Sequence, residues 1–325
     1  MQSDLCSVAA SVVLLTYNQE AFVREALQSL LDQDYENLEI VVSDDCSKDG
    51  TWNEIVKVAD QYKGAKRLVL HQNSTNVGLT GNYDAAFALT LGDVVFSAAG
   101  DDISVRDRCS ACIALWLAND CVPDLIGTDA FDMDIDGKVL GIKCMDELKG
   151  LTLEQWASKR PYQFGASHML TRRLLALNTL GQNVPAEDQC FVVRAILMGG
   201  AARLNVPKVY HRQNGMSGKV REKSFQEKIV NMRKGAQQAL LELDQMRRDA
   251  ECLGQAERFD ASTIEQKQLR QYILAQLQSR NLMERWALFC KSDRVRTSKK
   301  IRFFLYANFS WWFLLLFKLK VSLNG

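Results

Sequence analysis

Two kinds of apolar segment alternate through the first hundred residues, and this alternation restricts the fold more than any other feature. Short apolar runs typical of buried strands are separated by longer segments whose apolar residues recur at helical spacing. The pattern predicts an α/β fold: a mostly parallel sheet flanked by helices and connected by right-handed crossovers. The predicted strands are 11–16, 38–42, 68–70 and 93–98, and the predicted helices are 20–31, 51–62 and 79–91.

Polar residues cluster where the predicted strands end. Open α/β sheets bind ligands in the crevice beyond the carboxyl ends of their strands, so four clusters on one edge predict a shared pocket. The glycine patterns of dinucleotide-binding folds and of P-loop NTPases are missing from the sequence. The clusters are Thr16-Tyr17-Asn18, Ser43-Asp44-Asp45, residues 73–78, and Gly100-Asp101-Asp102.

Two adjacent carboxylates follow the fourth predicted strand. Asp101 and Asp102 could hold a hard divalent cation through their carboxylate oxygens. The alternative is a simple turn that also caps the next helix. Against that alternative, Ser104 and Asp107 already predict a capping-box start for a helix over 104–117.

The second half of the sequence continues the mixed pattern. Asp136-Gly137 between apolar residues predicts a hairpin turn, and Thr152 with Gln155 predicts a capping box. A helix is predicted over 185–199, with Glu187 and Asp188 in its first turn. Acids at that position either complement the helix dipole or belong to a functional site. A further short strand is predicted over 206–211.

Composition narrows the class of protein. The chain has 325 residues and a net charge of +1, which gives no support for nucleic-acid binding. Its nine cysteines are scattered, and residues 1–5 show no secretory n-region, so we expect reduced thiols and a cytoplasmic location for the body of the chain. Cys109 and Cys112 lack a second pair at zinc-ribbon spacing and are interpreted as packing residues.

The C-terminal part has a different character. Residues 219–291 are almost free of glycine and proline and predict long helices. The stretch 303–317 is strongly apolar and aromatic, but as a helix it would be about 22 Å long, shorter than the roughly 30 Å core of a bilayer. With flanking Lys and Arg it predicts an interfacial anchor. The alternatives are packing on the chain's own core or on a second copy in a homodimer.

Several motifs, in order along residues 10 to 218, resemble those of family 2 glycosyltransferases, which have the GT-A fold. The segments 11–20 and 39–51 resemble the opening of that family, and Asn76, Gly78 and Asn82 continue the pattern. Gly100-Asp101-Asp102 lies where the family carries its metal motif. The later matches are Phe164 to Ser167 with Arg172 or Arg173, then Glu187-Asp188 with Arg194, and finally the closing loop 212–217.

The resemblance implies inverting transfer of one sugar from a nucleotide-diphosphate donor, with a UDP-sugar expected, to a glycan or lipid-linked acceptor. Asp188 would be the catalytic base, and Asp101 and Asp102 would hold Mg²⁺ or Mn²⁺. Ala99 stands where many members have the first acid of the metal motif, and the processive members' Gln-x-x-Arg-Trp motif is missing. The implied nucleotide-sugar site comprises Thr16, Tyr17, Asn18, Glu20, Asp44 (accepting a base N–H), Asp45, Asn76, Gly78, Asn82, Gly100, Asp101 and Arg212 (against the diphosphate).

Three parts of the chain are therefore expected: a catalytic domain over 1–218, a helical extension over 219–300, and a membrane-associating tail over 301–325. The enzyme would lie on the inner face of the plasma membrane. Two other functions remain open. A nucleotidyltransferase would need a Gly-rich, basic first loop, which residues 16–19 do not provide. A binding or scaffold protein that had lost catalysis would not need the intact acids at 101, 102 and 188.

Overall fold

The computed structural model describes residues 8–181, 184–213, 224–279 and 281–309. These residues form two compact units. The first contains the described residues up to 213 together with 248–255, and the second contains those within 224–247 and 256–309. The expected tail lies outside the described residues from position 310 onward.

A nine-stranded mixed sheet forms the centre of the first unit. Its order is β3-β2-β1-β4-β8-β6-β9-β5, with β7 paired to β6. The pairs β1–β2, β1–β4 and β2–β3 are parallel, as the alternating pattern of the first hundred residues predicts. The pair β6–β9 is also parallel, and the other four pairs are antiparallel. The strands are β1 Ala10–Thr16, β2 Leu38–Asp44, β3 Arg67–Gln72, β4 Val94–Ala99, β5 Ile103–Ser104, β6 Leu125–Met133, β7 Val139–Lys143, β8 Met169–Thr171 and β9 Ala201–Arg212.

Helices connect and cover these strands. Apolar residues of α1 and α4 pack on β1, β2 and β4, where the strand residues are almost fully buried. This packing buries the apolar stripe that made each helix recognisable in the sequence. The helices of this unit are α1 Val23–Leu31, α2 Thr51–Gln61, α3 Gly78–Phe87, α4 Arg108–Ala118, α5 Leu153–Ser158, α6 Arg172–Leu175 and α7 Asp188–Leu197.

Most of the predicted elements are confirmed, including the capping box at Thr152 and the hairpin turn at Gly137 between β6 and β7. The helix start predicted at Ser104 is wrong. Ser104 belongs to β5 and pairs with β9, and its backbone N–H donates to the Ser29 hydroxyl at 3.0 Å. Helix α4 begins four residues later, at Arg108, because the backbone of Ser104 is paired in the sheet and cannot start the helix.

The second unit is helical, as predicted. Helix α8, Phe225–Cys252, begins in this unit and its last residues belong to the first. The other helices are α9 Ala256–Gln278, α10 Leu282–Lys291 and α11 Thr297–Asn308. Within the described ranges, none of the helices combines the length and apolarity needed to cross a membrane. The described cysteines are free thiols, with Cys109 and Cys112 buried in the core.

Candidate active site

One cavity of about 530 Å³ lies at the carboxyl ends of β1 and β4. The loops after β2 and β3, the start of α7 and the end of β9 complete its wall. Nine of the site residues expected from the sequence line it: Thr16, Tyr17, Asp45, Asn76, Gly78, Asn82, Asp101, Asp102 and Asp188.

The other five expected residues do not line this cavity: Asn18, Glu20, Asp44, Gly100 and Arg212. Asp44 is fully buried, and its carboxylate accepts hydrogen bonds from the Thr16 hydroxyl at 3.1 Å and the Gln72 amide at 2.9 Å. It also accepts from the backbone N–H and the hydroxyl of Ser47. With four donors from the protein, Asp44 fixes Thr16 at the wall of the cavity.

Asn18 and Glu20 join two loops at the rim. The Asn18 backbone N–H donates to the Ser47 hydroxyl at 2.9 Å, and its side-chain oxygen accepts from the Lys48 N–H at 2.8 Å. The Glu20 carboxylate accepts from the Gly50 N–H at 2.9 Å. Asn18 adopts a φ of 53°, a left-handed conformation that asparagine tolerates better than most residues. These contacts connect the β1–α1 loop to the β2–α2 loop.

Asp45 organises the neighbouring wall. Its carboxylate accepts from the backbone N–H groups of Val77 at 2.8 Å and Gly78 at 2.9 Å, and from the Asn73 amide at 3.0 Å. Gly78 has a φ of 81°, which requires glycine. Asn82 donates to the Ser43 carbonyl at 3.0 Å, so the start of α3 is held against the end of β2.

The Gly100-Asp101-Asp102 turn comes very close to β1. A Cβ atom on Gly100 would lie 2.4 Å from Gln19 Oε1 and 2.9 Å from Thr16 Cγ2, so a larger residue would push these groups apart. The glycine therefore permits the two acids to follow β4 directly into the cavity wall, with exposures of only 6% and 8%.

Arg212 holds this turn from behind. Its backbone N–H donates to Asp102 Oδ1 at 2.9 Å, and its guanidinium Nε donates to the Asp101 carbonyl at 3.0 Å. The remaining guanidinium nitrogens donate to the Ile135 carbonyl at 2.9 Å and to Glu25 at 3.0 Å. The ring of Phe22 lies 4.6 Å from the guanidinium carbon. Arg212 is thus occupied by protein groups, where the family pattern implied a contact with the diphosphate.

The adjacent carboxylates of Asp101 and Asp102 would be stabilised in their charged form by a bound cation. Burial, and then the charge of Asp101, raise the pKa of Asp102 to about 8. A divalent ion would offset both effects, and two carboxylates supply the oxygen ligands that Mg²⁺ and Mn²⁺ accept. Within the described part of the chain, no group of three or more His, Cys, Asp or Glu could hold a metal. Oxygen atoms of a phosphate-bearing substrate and water could complete the coordination of such an ion.

Glu187 and Asp188 enter the cavity at the start of α7. Burial, and then the charge of Asp188, raise the pKa of Glu187 to about 7. The Glu187 side chain occupies the space where a Cβ on Gly165 would lie, with Oε1 only 2.1 Å from that position. Asp188, the first residue of the helix, accepts a hydrogen bond from the Gln189 N–H at 2.6 Å.

Among the polar residues that line the cavity, the sequence did not single out Gln19, Ser97 and His211 as site residues. His211 immediately precedes Arg212 in β9, and successive side chains of a strand point to opposite faces. One of the pair faces the cavity and the other the supporting side. Burial, and then the charge of Lys143, lower the pKa of His211, which favours the neutral ring.

The cavity thus combines groups for two kinds of chemistry. A carboxylate pair can hold a cation against a phosphate-bearing ligand, and a separate carboxylate at a helix start can accept a proton. Asp188 lies far along the chain from Asp101 and Asp102, and the fold brings all three acids to one pocket.

The sequence of residues 11–173, half of the chain, matches the family model for glycosyl transferase family 2. The EpsE protein of Bacillus subtilis is 35% identical over 100 residues, which cover 30% of this chain and 34% of EpsE. The Escherichia coli enzyme WfaP, a UDP-Glc:alpha-D-GlcNAc-diphosphoundecaprenol beta-1,3-glucosyltransferase, is 29% identical over 100 residues, covering 31% of this chain and 38% of WfaP. The chain therefore matches little more than a third of the length of these relatives.

Solved structures extend the similarity of fold to most of the chain. Staphylococcus aureus TarS 1-349 in complex with UDP aligns with a TM-score of 0.56 and 18% identity, covering 93% of this chain and 90% of that one. The mannosyltransferase PcManGT from Pyrobaculum calidifontis, in complex with GDP-Man and Mn²⁺, aligns with a TM-score of 0.50 and 17% identity, covering 92% and 86%. The matching family model and the shared architecture together show that the chain belongs to glycosyl transferase family 2 and has the GT-A fold.

Proposed function

We propose that this protein transfers one sugar from a nucleotide-diphosphate donor to a hydroxyl of an acceptor, with inversion at the anomeric carbon. The observation that carries the proposal is the meeting of Asp101, Asp102 and Asp188 in one cavity. A metal-holding pair would stabilise the departing diphosphate, and a proton acceptor would activate the acceptor hydroxyl. The volume of the cavity, about 530 Å³, is typical of sites that bind small molecules and cofactors.

The donor is a UDP-sugar in this proposal. The TarS structures contain UDP and UDP-GlcNAc, and WfaP is named for UDP-Glc, whereas PcManGT was solved with GDP-Man. Thr16, Tyr17 and Asp45 form the nucleotide end of the cavity, supported by Asp44 beneath Thr16. Asn76, Gly78 and Asn82 contribute the adjoining wall.

Asp101 and Asp102 would hold Mg²⁺ or Mn²⁺ together with the donor's diphosphate. When bound, the ion would neutralise negative charge on the departing nucleotide. Arg212 keeps both carboxylates at the cavity wall through its contacts with the turn. The residues thereby provide a binding site for an ion that arrives with its nucleotide.

Asp188 takes the proton from the acceptor hydroxyl. As the oxygen forms its bond to the anomeric carbon, the bond from that carbon to the diphosphate oxygen breaks, and the nucleotide leaves as a diphosphate. A single displacement of this kind inverts the anomeric configuration. The neighbouring Glu187, whose pKa is raised to about 7, would be largely protonated in mildly acidic solution and would not compete as a charged group there.

The acceptor is a surface glycan or a lipid-linked saccharide, and one sugar is added per encounter. WfaP is named for a diphosphoundecaprenol-linked acceptor and TarS for poly(ribitol-phosphate). The missing Gln-x-x-Arg-Trp motif supports single transfer. This enzyme would serve polysaccharide biosynthesis at the cytoplasmic face of the membrane.

Helices α10 and α11 supply a surface for such a location. Leu282, Met283 and Trp286 are 59%, 79% and 55% exposed, and Ile301 is 46% exposed. Exposed cations lie on or beside the same helices: Lys291, Arg294, Arg296, Lys299 and Arg302. Apolar and aromatic residues with nearby cations are typical of segments that bind anionic membrane surfaces.

The test combines binding with product analysis. Calorimetry with UDP, UDP-Glc, UDP-GlcNAc and GDP-Man, with and without Mn²⁺, should identify one metal-assisted nucleotide. Transfer is then measured with that donor on saccharide and polyprenyl-diphosphate saccharide acceptors, and proton NMR gives the anomeric configuration of the product. Asp188→Asn should retain donor binding and lose transfer by about 10²-fold or more. Pyrophosphate release from a nucleoside triphosphate would indicate a nucleotidyltransferase, and donor binding without turnover on any acceptor would indicate lost catalysis.

A further inference from the structure

A fully buried ion pair connects helix α7 to the end of helix α8. Arg194 Nε donates to Asp249 Oδ2 at 2.7 Å, and Arg194 Nη2 donates to Asp249 Oδ1 at 3.1 Å. The two side chains are 1% and 0% exposed. Both residues belong to the first compact unit, which takes residues 248–255 from a part of the chain well beyond its last strand.

A buried ion pair contributes little net free energy to the packing of two helices. Removing both charges from water costs about as much as their attraction returns, so an apolar pair of similar size would hold the helices at least as well. The gain from a two-pronged contact between a guanidinium and a carboxylate is directional, because both hydrogen bonds form in only one relative orientation. This geometry restricts the orientation of Arg194, and of the turn of α7 that carries it, relative to Asp249.

The same segment holds α7 at a second point. The Gln255 side-chain amide donates to the Leu197 carbonyl at 2.9 Å, at the last residue of α7. Carbonyl groups in the final turn have no partner within their own helix, so this contact satisfies one of them. Asp249 and Gln255 therefore both form hydrogen bonds with the C-terminal half of α7.

The other end of α7 faces the cavity. Asp188 is its first residue, and Arg194 lies six positions later, about 9 Å along the helix axis. Between them, the Phe191 ring lies 5.2 Å from the Tyr83 ring, and the Tyr83 hydroxyl is 3.0 Å from that of Ser97, which lines the cavity. A rotation of α7 would thus move Asp188 relative to the cavity wall.

We propose that Asp249 is a positioning residue for Asp188: through Arg194 it sets the rotation and depth of α7, and so the place of the proposed catalytic base. The segment 248–255 then supports the catalytic site from behind, although the family-like motifs end some thirty residues earlier. This inference rests on the proposed function of Asp188, but the position of α7 can be measured without turnover.

The test uses full-length protein carrying Asp249→Asn, with Asp129→Asn as the matched control. Asp129 makes a similar two-pronged contact with Arg203, at 2.9 and 2.8 Å, and does not line the cavity. Hydrogen exchange followed by mass spectrometry should show faster exchange of the amides in 188–197 for Asp249→Asn only. Failure of this local change, in protein that still binds UDP with Mn²⁺, would overturn the inference whether or not a transfer assay exists.

Turnover provides the second readout. With the donor and acceptor that support wild-type transfer, Asp249→Asn should lower kcat by about tenfold or more, since displacement of a catalytic group by 1 Å can cost 10²-fold. The Kd for UDP with Mn²⁺ should change less than about threefold, because the donor side is built on other strands. Asp249→Glu, which keeps the charge, should recover part of kcat, and it replaces Asp249→Asn as the decisive variant if the latter does not fold. Equal kcat losses in Asp249→Asn and Asp129→Asn would mean a general loss of stability and would overturn the proposal.

Discussion

Two hydrogen bonds join Arg212 to the turn that carries Asp102. Asp102 accepts the backbone N–H of Arg212 at 2.9 Å, and the Arg212 guanidinium donates to the carbonyl of Asp101, beside Asp102, at 3.0 Å. The end of the last strand is thereby fastened to the turn that carries both metal-binding candidates. The position of the acids depends on a residue that does not reach the cavity itself.

Arg212→Lys should weaken Mn²⁺-dependent binding of UDP by about tenfold or more. Lysine has a single ammonium group and cannot reproduce the planar fork that contacts Asp101, Ile135 and Glu25 at once. Calorimetry with and without Mn²⁺ measures the effect. Glu25→Gln is the matched control: the Glu25 side chain is 63% exposed, so loss of its ion pair should cost about 0–1 kcal/mol and leave UDP binding unchanged. Unchanged metal-dependent binding in Arg212→Lys would contradict this supporting role.

Gly165→Ala should impair the catalytic side of the cavity. The added Cβ would lie 2.1 Å from Glu187 Oε1, so Glu187 would have to move, and Asp188 follows it directly. We expect a stability loss on the order of 1–3 kcal/mol by chemical denaturation and a fall in kcat, with UDP binding retained. Shortening the side chain in Gly165→Ala/Glu187→Asp should recover part of the stability.

Gly141→Ala is the control for that substitution. A Cβ at Gly141 meets no heavy atom within 4 Å, and this residue lies in β7, away from the cavity. Its effect on stability should stay within about 0.5 kcal/mol. If Gly165→Ala were as harmless as Gly141→Ala, close packing of Glu187 against residue 165 would not matter in solution.

The sequence predicts that polar residues meet at one edge of the sheet, because the strand ends alone imply it. Strands β1, β2 and β4 are short buried runs, and the polar residues after them meet at one edge of the sheet. The roles of His211 and Arg212 could not be predicted in this way. Which of them faces the cavity depends on the register of β9 against β6, and that register shifts on both sides of Asp129. A slip of one residue reverses the facing of every later side chain.

The Arg194–Asp249 pair escapes prediction for another reason. Asp249 lies in a 28-residue helix rich in Glu, Asp, Arg and Lys, where a buried acid has the same appearance as an exposed one. The hydrophobic pattern of that helix identifies its type but not the part of the chain that its last turn contacts. The long-range contact becomes visible only once α7 and α8 have been placed.

Glu187→Gln should stabilise the protein in a pH-dependent manner. The pKa of Glu187 is raised from its ordinary 4.5 to about 7, so the folded state binds more protons than the unfolded state between these pH values. Stability contributed by this group is therefore full below about pH 4.5 and falls as the pH rises to about 7. Glutamine removes this penalty, and the free energy of unfolding should exceed that of wild type by about 1–3 kcal/mol at pH 8, with a smaller difference at pH 5. Urea denaturation at both values measures it, and a difference independent of pH would contradict the raised pKa.

Charge reversal on α11 should reduce binding to anionic vesicles. Each Lys or Arg near such a surface contributes about 1 kcal/mol, so the triple variant Arg296→Glu/Lys299→Glu/Arg302→Glu should lower partitioning onto phosphatidylglycerol-containing vesicles by about 10²-fold or more. Raising the salt should weaken wild-type binding, because it screens exposed charges.

Lys48→Glu/Lys57→Glu/Lys63→Glu is the control, with the same charge change on exposed residues of the first unit. Equal losses in both variants would indicate a general effect of net charge, and unchanged binding in the α11 variant would remove this surface as the membrane contact. Trp286→Ser tests the apolar contribution separately, since its loss should persist at high salt, where the electrostatic part is screened.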